Sequence, residues 1–128
     1  MFSHVMVGSN DIPRSKKFYD ALMGAVGGKP GTEDARGRLI YAHDGGLLLV
    51  SPPIDGKPAT HANGGTIGFA MTGPEQAVAW HAAGVANGGT SIEDPPGIRQ
   101  MGPMSLYLAY LRDPDGNKLC ALHRVPKA

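Results

Sequence analysis

The sequence has one cysteine, few aromatic residues and almost no net charge, and each scarcity excludes a class of protein. A single cysteine, Cys120, excludes an internal disulfide. Aromatic residues make up 6% of the chain and the formal net charge is +1, with the basic residues scattered, so no surface for nucleic acid or for an anionic membrane is indicated. No apolar run reaches the roughly 18 residues that a membrane helix needs.

What is present is typical of a small globular protein. The 128 residues suit one domain, and 41% of them are apolar and 18% charged. The first residues lead directly into an apolar, strand-like run without a basic leader. Together with the single cysteine, this favours a reduced, cytoplasmic setting. We expect a small-molecule ligand rather than nucleic acid or membrane.

Two distant stretches are typical of β-hairpins. Residues 107–123 contain two apolar runs around the turn residues 113–117, whose proline, glycine, aspartate and asparagine residues all favour a turn. Residues 39–50 contain a shorter version around Asp44-Gly45. Two similar hairpins far apart indicate one unit used twice.

The helices repeat in the same way. A helix with proline in its first turn runs from Pro13 towards Gly27-Gly28, and a second runs from Pro74 towards Gly88-Gly89 with the same spacing. The predicted elements are a strand over 2–8, a helix to about Val26, a hairpin near 38–43 and 46–51, a strand over 65–71, a helix over 75–87, a loop-rich stretch over 90–104 and the last hairpin.

These elements predict an α+β fold, in which two βαβββ modules form a cupped mixed sheet with the helices outside. Neither half alone can bury both faces of its sheet, so the halves must pair. We expect a single domain, with module one over about 1–52, a linker over 53–64 and module two over about 65–128.

Three segments resemble the vicinal oxygen chelate superfamily, the group of glyoxalase I, bleomycin-resistance proteins, fosfomycin-resistance enzymes and extradiol dioxygenases. They are His4-Val5, residues 15–19 and residues 112–119. Residues 80–89 and 95–99 resemble small bacterial glyoxalase-like proteins in particular. The resemblance covers the whole chain. It implies paired βαβββ modules, a metal that holds two adjacent substrate oxygens, and usually a homodimer.

The resemblance also implies four metal positions, one on each key strand. His4 fits the first, and its counterpart in module two is Thr66, or Gly65 if the register is shifted by one residue. Counted from the Asp-Gly turns, Cys120 stands where a glutamate is expected, and Leu49 stands at the matching place in module one. Only His4 and Cys120 can ligate a metal well, because leucine has no donor atom and a neutral hydroxyl is a poor ligand. The cofactor therefore stays open: a divalent metal would have two of four family ligands.

Other residues could complete or line the site. A softer metal site could add His43, His61 or His123, although each is also typical of a solvent-exposed histidine, as is His81 in the second helix.

Tyr110 shares strand parity with Cys120, so its hydroxyl could bind a substrate oxygen or stay at the rim of the core. Arg99 could pair an anionic ligand or remain solvated. Leu49, Thr66 and Cys120 would line the substrate pocket, and Cys120 could equally pack as a small hydrophobe.

Two functions compete at this point. One is a glyoxalase-like lyase or isomerase of the lactoylglutathione lyase type, with His4 as metal ligand or base and Tyr110 as the group that polarises the substrate. The other is a metal-free protein that binds or sequesters a small molecule, as bleomycin-resistance proteins do. The number of metal ligands separates the two: Leu49 and Thr66 favour binding, and His4 favours a retained site.

Overall fold

The structure, a computed structural model, describes residues 1–126, so the last two residues of predicted module two lie outside the described part. Its elements in chain order are β1 (Val5–Gly8), α1 (Ile12–Gly24), β2 (Thr32–Glu33), β3 (Leu39–His43), β4 (Gly46–Ser51), β5 (Ile67–Ala70), α2 (Pro74–Ala86), β6 (Thr90–Ser91), β7 (Gly97–Met101), β8 (Met104–Arg112) and β9 (Lys118–Arg124).

Each module has its own mixed sheet. The strand order is β1-β4-β3-β2 in module one and β5-β9-β8-β6 in module two, where β7 also pairs with β8. The first strand of each module runs parallel to the last, and the other pairs are antiparallel. The predicted α+β fold of two βαβββ modules is confirmed. Within residues 1–126, neither helix is long and apolar enough to cross a membrane.

The prediction of a loop-rich stretch over 90–104 is wrong in part, because β6, β7 and the start of β8 lie there. Prolines and glycines bound β7 on both sides and mark its turns, and Gly102 has a φ of 59° in the turn that joins β7 to β8. The first strand is also shorter than predicted and begins at Val5. The segment over 52–66 has neither helix nor strand; the division of the chain at residues 52 and 65 stays a prediction.

Both helices pack on one side of the sheets and cross each other at a glycine. One apolar cluster joins α1, α2 and one face of each sheet. A Cβ added at Gly84 of α2 would meet the end of Leu111, and would approach Leu22 Cδ1 to 3.2 Å and Phe18 Cε1 to 3.4 Å. Since these three neighbours are fully buried, they have little room to move away. The close packing of α2 against β8 and α1 therefore requires a glycine at this position.

We expect Gly84→Ala to lower the free energy of unfolding by about 1–2 kcal/mol, because overpacking outweighs the gain in helix propensity. The matched control is Gly24→Ala at the end of α1, where an added Cβ meets nothing within 4 Å. Urea denaturation measures both variants. Equal effects of the two substitutions would contradict the tight helix crossing.

A second contact between the modules is polar and buried. The carboxylate of Asp113, at the start of the β8–β9 turn, accepts a hydrogen bond of 2.6 Å from the hydroxyl of Tyr19 in α1. It also accepts bonds from the backbone N–H groups of Asp115 and Asn117 and from the Asn117 side chain. Asp113 is only 4% exposed, so four hydrogen bonds compensate the burial of its charge. Burial and the adjacent Asp113 carboxylate raise the pKa of Tyr19 well above its usual value.

The same turn carries a second carboxylate to the start of α1. Asp115 accepts hydrogen bonds from the Asn10 backbone N–H and from Arg14 Nη2 through Oδ1, and from the Ser15 hydroxyl through Oδ2. A carboxylate at a helix N-terminus is stabilised by the free N–H groups and the helix dipole. Together, Asp113 and Asp115 with their partners on α1 form what we call the module latch.

Removal of the Tyr19 hydroxyl should weaken the module latch. We expect Tyr19→Phe to lower the free energy of unfolding by about 1–3 kcal/mol, because a buried carboxylate loses a donor. Tyr107→Phe is the control, since within residues 1–126 the hydroxyl of this half-buried tyrosine has no protein hydrogen bond. If both variants unfold at the same urea concentration as the wild type, the latch contributes nothing to stability.

Candidate functional site

Each sheet has a second face that the helices do not cover, here called its helix-free face. Along β1, Val5 and Val7 pack towards the helices, so Met6 between them lies on the helix-free face. On module two, Leu106, Leu108 and Cys120 form an apolar cluster separate from the main core, with Tyr110 and Leu122 packed against it. The predicted site residues on the strands belong to these helix-free faces.

The strand register makes the two modules equivalent at the predicted site. Met6 pairs with Leu49 in the parallel β1–β4 pair, and Gly68 pairs with Cys120 in the parallel β5–β9 pair. Leu49 and Cys120 therefore occupy equivalent positions. His4 stands two residues before Met6 and immediately before β1. Thr66 stands two residues before Gly68 and immediately before β5.

Cys120 is buried in apolar surroundings. It is 5% exposed, and its thiol donates a weak hydrogen bond to the carbonyl of Ala121. Burial raises the pKa of Cys120, so the thiol keeps its proton near neutral pH. Tyr110 is the cross-strand neighbour of Cys120, and burial, with the nearby thiol adding to it, raises the pKa of this tyrosine as well. Lys118 lies 5.0 Å from the centre of the Tyr110 ring and pairs with Glu93.

His4 and Thr66 lie in different cavities. His4 accepts or donates a hydrogen bond of 2.8 Å to the Ser3 hydroxyl and lines a cleft of about 280 Å³, which β1 and β5 border. This β1–β5 cleft also contains His43, whose ring is 3.3 Å from the Asp44 carboxylate. Thr66 lines a separate cavity of about 350 Å³.

The remaining histidines are also apart from one another. His61 lines the same cavity as Thr66 and touches Gly116. His123 Nδ1 is 3.3 Å from the Met71 carbonyl, and His81 is bonded to the Ser91 hydroxyl. Burial lowers the pKa of His81.

These donors do not fit a divalent metal. Over residues 1–126, no three side chains among histidine, cysteine, aspartate and glutamate come close enough to hold an ion. The two predicted ligands do not compensate, because Cys120 packs in an apolar cluster on module two, whereas His4 lines the β1–β5 cleft, which Cys120 does not line. Zinc in proteins takes three or four protein ligands, and harder cations take several oxygens.

Arg99 is occupied by the backbone. It lies in β7, and its Nη1 donates to the carbonyls of Pro95, Gly97 and Leu108, while its Nη2 donates to the carbonyl of Asp94. The guanidinium therefore fixes the turn before β7 onto β8. Its role in ligand binding stays a prediction, with most of its donors already in use.

The largest of the three cavities described here is in module one, and we call it the module-one cavity. It measures about 790 Å³ and lies between β1 and the linker. Met6 and Gly8 of β1, Ser51 at the end of β4 and the prolines of the linker line it, together with Arg36 and Arg38 from the β2–β3 turn.

The sequence argument missed the two arginines. They stand at alternate positions around Gly37, directly before β3. Alternate cations beside a turn glycine were the available signal. The fold brings them to the same cavity as the linker.

The state of the cysteine can be tested directly. We expect Cys120 in the folded protein to react with a thiol-reactive disulfide reagent at neutral pH at least about a hundredfold more slowly than in the unfolded protein, because it is buried and protonated. The unfolded chain in urea is the control. Equal rates in the two states would contradict a buried, protonated thiol.

Comparison with known proteins places the chain in a family. The family model of the Glyoxalase/Bleomycin resistance protein/Dioxygenase superfamily matches residues 1–121. No curated protein matches. A glyoxalase/bleomycin resistance protein from Albidiferax ferrireducens T118 is 60% identical, with a TM-score of 0.93 over 97% of this chain and 99% of that one.

Two more distant structures share the fold. A glyoxalase/bleomycin resistance protein/dioxygenase family enzyme from Burkholderia phytofirmans PsJN is 16% identical, with a TM-score of 0.72 over 96% of this chain and 98% of that one. A glyoxalase-related enzyme from Fulvimarina pelagi is 16% identical, with a TM-score of 0.68 over 100% and 99%. The chain belongs to the glyoxalase/bleomycin resistance protein/dioxygenase superfamily.

Proposed function

We propose that this protein binds a small organic molecule in the module-one cavity without a metal ion, as a binding or sequestering protein. The observation that carries the proposal is the strand register, which makes Leu49 and Cys120 equivalent. Leucine has no donor atom, and Cys120 is 5% exposed and packs in an apolar cluster with Leu106 and Leu108. The last strands of the two modules therefore offer no carboxylate to a cation at these two positions.

The size and lining of the cavity support binding. Its volume of about 790 Å³ falls in the range of small-molecule pockets, about 300–1,000 Å³. Met6, which is 46% exposed, and the linker prolines supply apolar surface. The Ser51 hydroxyl and the two arginines supply the few polar groups that orient a ligand.

The rival function is a glyoxalase-like lyase or isomerase of the lactoylglutathione lyase type. It would use His4 as base or metal ligand and Tyr110 to polarise the substrate. Among the three cavities described for residues 1–126, none is lined by both side chains. The contribution of Leu49, Thr66 and Cys120 to substrate binding, the homodimer and the cytoplasmic location stay predictions of the sequence.

Metal content and turnover distinguish the two functions. We expect protein purified without added metal to contain far less than one equivalent of zinc, nickel, manganese or iron by mass spectrometry, because too few ligands converge. We also expect no turnover of the hemithioacetal of methylglyoxal and glutathione, with or without added nickel or zinc. Stoichiometric metal that is lost in His4→Ala, together with turnover, would establish the lyase instead.

A neutral fluorescent probe tests binding itself. We expect N-phenyl-1-naphthylamine to bind saturably to protein dialysed against EDTA, and Met6→Trp to weaken binding at least about tenfold because the indole fills the cavity. Leu47→Trp is the matched control, since Leu47 is similarly exposed but lines the β1–β5 cleft. Absent saturable binding, or equal effects of the two tryptophans, would contradict binding in the module-one cavity.

A further inference from the structure

The β2–β3 turn is built around one carboxylate, which holds two arginines beside the module-one cavity. Asp34 Oδ1 accepts hydrogen bonds from the backbone N–H groups of Arg36 and Arg38, and its Oδ2 accepts a bond of 2.7 Å from Arg38 Nε. Gly37 takes the positive φ of 74° that the turn needs. The Arg38 backbone and side-chain bonds lower the pKa of Asp34. The arginines therefore leave the turn at fixed places.

Most donors of these two arginines are free to bind a ligand. A guanidinium has five N–H donors, and Arg38 uses only its Nε, for Asp34. Within residues 1–126, the Arg36 side chain has no hydrogen bond or ion pair with the protein. Arg99 is the contrast in the same chain, because its two terminal nitrogens are bound to four backbone carbonyls.

The linker part of the cavity lining is mainly apolar and is held in place. Asn10 accepts a hydrogen bond of 2.6 Å from the backbone N–H of Ala59 and donates one of 3.1 Å to its carbonyl, which ties the linker to the start of α1. Pro52, Pro53 and Ile54 of the linker line the cavity. Its one acidic residue, Asp55, accepts a hydrogen bond from the Lys57 backbone N–H through Oδ1.

We infer that the module-one cavity selects an organic anion, whose oxyanion pairs with Arg36 and Arg38 while its apolar body lies against the linker and Met6. The inference rests on the proposed function and adds the chemical class of the ligand. Guanidinium groups bind carboxylate, sulfonate and phosphate oxygens through the same paired N–H bonds. Arg36 contributes the unpaired cation, and Arg38, whose charge Asp34 partly balances, contributes directed donors. Asp55 is the group in the lining that repels the ligand.

A pair of probes with similar apolar bodies and different charge tests this inference. The anionic probe is 8-anilinonaphthalene-1-sulfonate, and the neutral probe is N-phenyl-1-naphthylamine. We expect Arg36→Ala combined with Arg38→Ala to raise the Kd of the anionic probe about tenfold, through the loss of charge-assisted hydrogen bonds, and to leave that of the neutral probe unchanged. Asp55→Asn should lower the Kd of the anionic probe and leave that of the neutral probe unchanged.

Two further variants separate specific pairing from general attraction. Lys57→Ala removes a cation of the linker that does not line the cavity, so it should leave both probes unchanged. Arg38→Lys keeps the charge and loses the planar guanidinium, so it should weaken the anionic probe less than Arg38→Ala. Thermal unfolding of each variant verifies the fold, and Arg36→Ala, at an exposed side chain, tests the inference where Arg38→Ala unfolds the protein.

The outcomes distinguish the two proposals. The inference is wrong and the proposed function stands if Met6→Trp weakens binding of the neutral probe, but Arg36→Ala and Lys57→Ala change the Kd of the anionic probe equally. If neither probe binds saturably, both fail. The inference is supported if the arginine variants bind only the anionic probe more weakly, and if higher ionic strength weakens the binding of that probe to the wild type in the same way.

Discussion

The buried hydrogen bonds of the β8–β9 turn fix how the two modules meet. Asp113 and Asp115 leave their own sheet and contact α1 of the other module, where they accept hydrogen bonds from the side chains of Tyr19 and Arg14 and from the Asn10 backbone N–H just before the helix. A carboxylate so deeply buried is tolerated only when its hydrogen bonds are complete, so the turn has one position in which it is stable. The apolar contact at Gly84 then sets the distance between the helices. The β1–β5 cleft, which both modules border, lies between the sheets that these two contacts hold together.

The two modules have the same topology, but their hairpin turns differ in how they contact the helix of the other module. The β3–β4 turn of module one has only Asp44 and Gly45, both with positive φ, as two-residue hairpins require. It is too short to reach α2, and the Asp44 side chain is 83% exposed. The five-residue turn of module two fills its side of the junction, whereas the short turn of module one leaves the β1–β5 cleft open beside it. One module has thus kept the stabilising role, and the other has the open face and the large cavity.

Much of the fold was predictable because its signals are local. Proline at the helix starts, glycine after the helix ends and the Asp-Gly turns each act through a few neighbouring residues, and their repetition identified two modules. Counting from those turns also matched Leu49 with Cys120, and the strand register makes their positions equivalent. β7 was not predicted because its strand residues stand between prolines and glycines, which indicate turns when only neighbouring residues are considered. The module-one cavity could not be predicted, since it depends on hydrogen bonds between Asn10 and Ala59, which are 49 residues apart.

The arginines make the same point about function. Arg99 was predicted from the sequence to pair with an anionic ligand, yet its guanidinium donates to the carbonyls of Asp94 and Pro95 in the turn before β7 and to those of Gly97 and Leu108 on the two strands beside it. At the β2–β3 turn, Asp34 satisfies the backbone N–H groups itself, so Arg38 gives only its Nε to the turn and the Arg36 side chain has no bond there. The local supply of hydrogen-bonding partners thus decides whether an arginine is structural or available to a ligand. In a superfamily member whose last strands offer no anionic ligand to a metal, such available donors are the groups that can still recognise substrate oxygens.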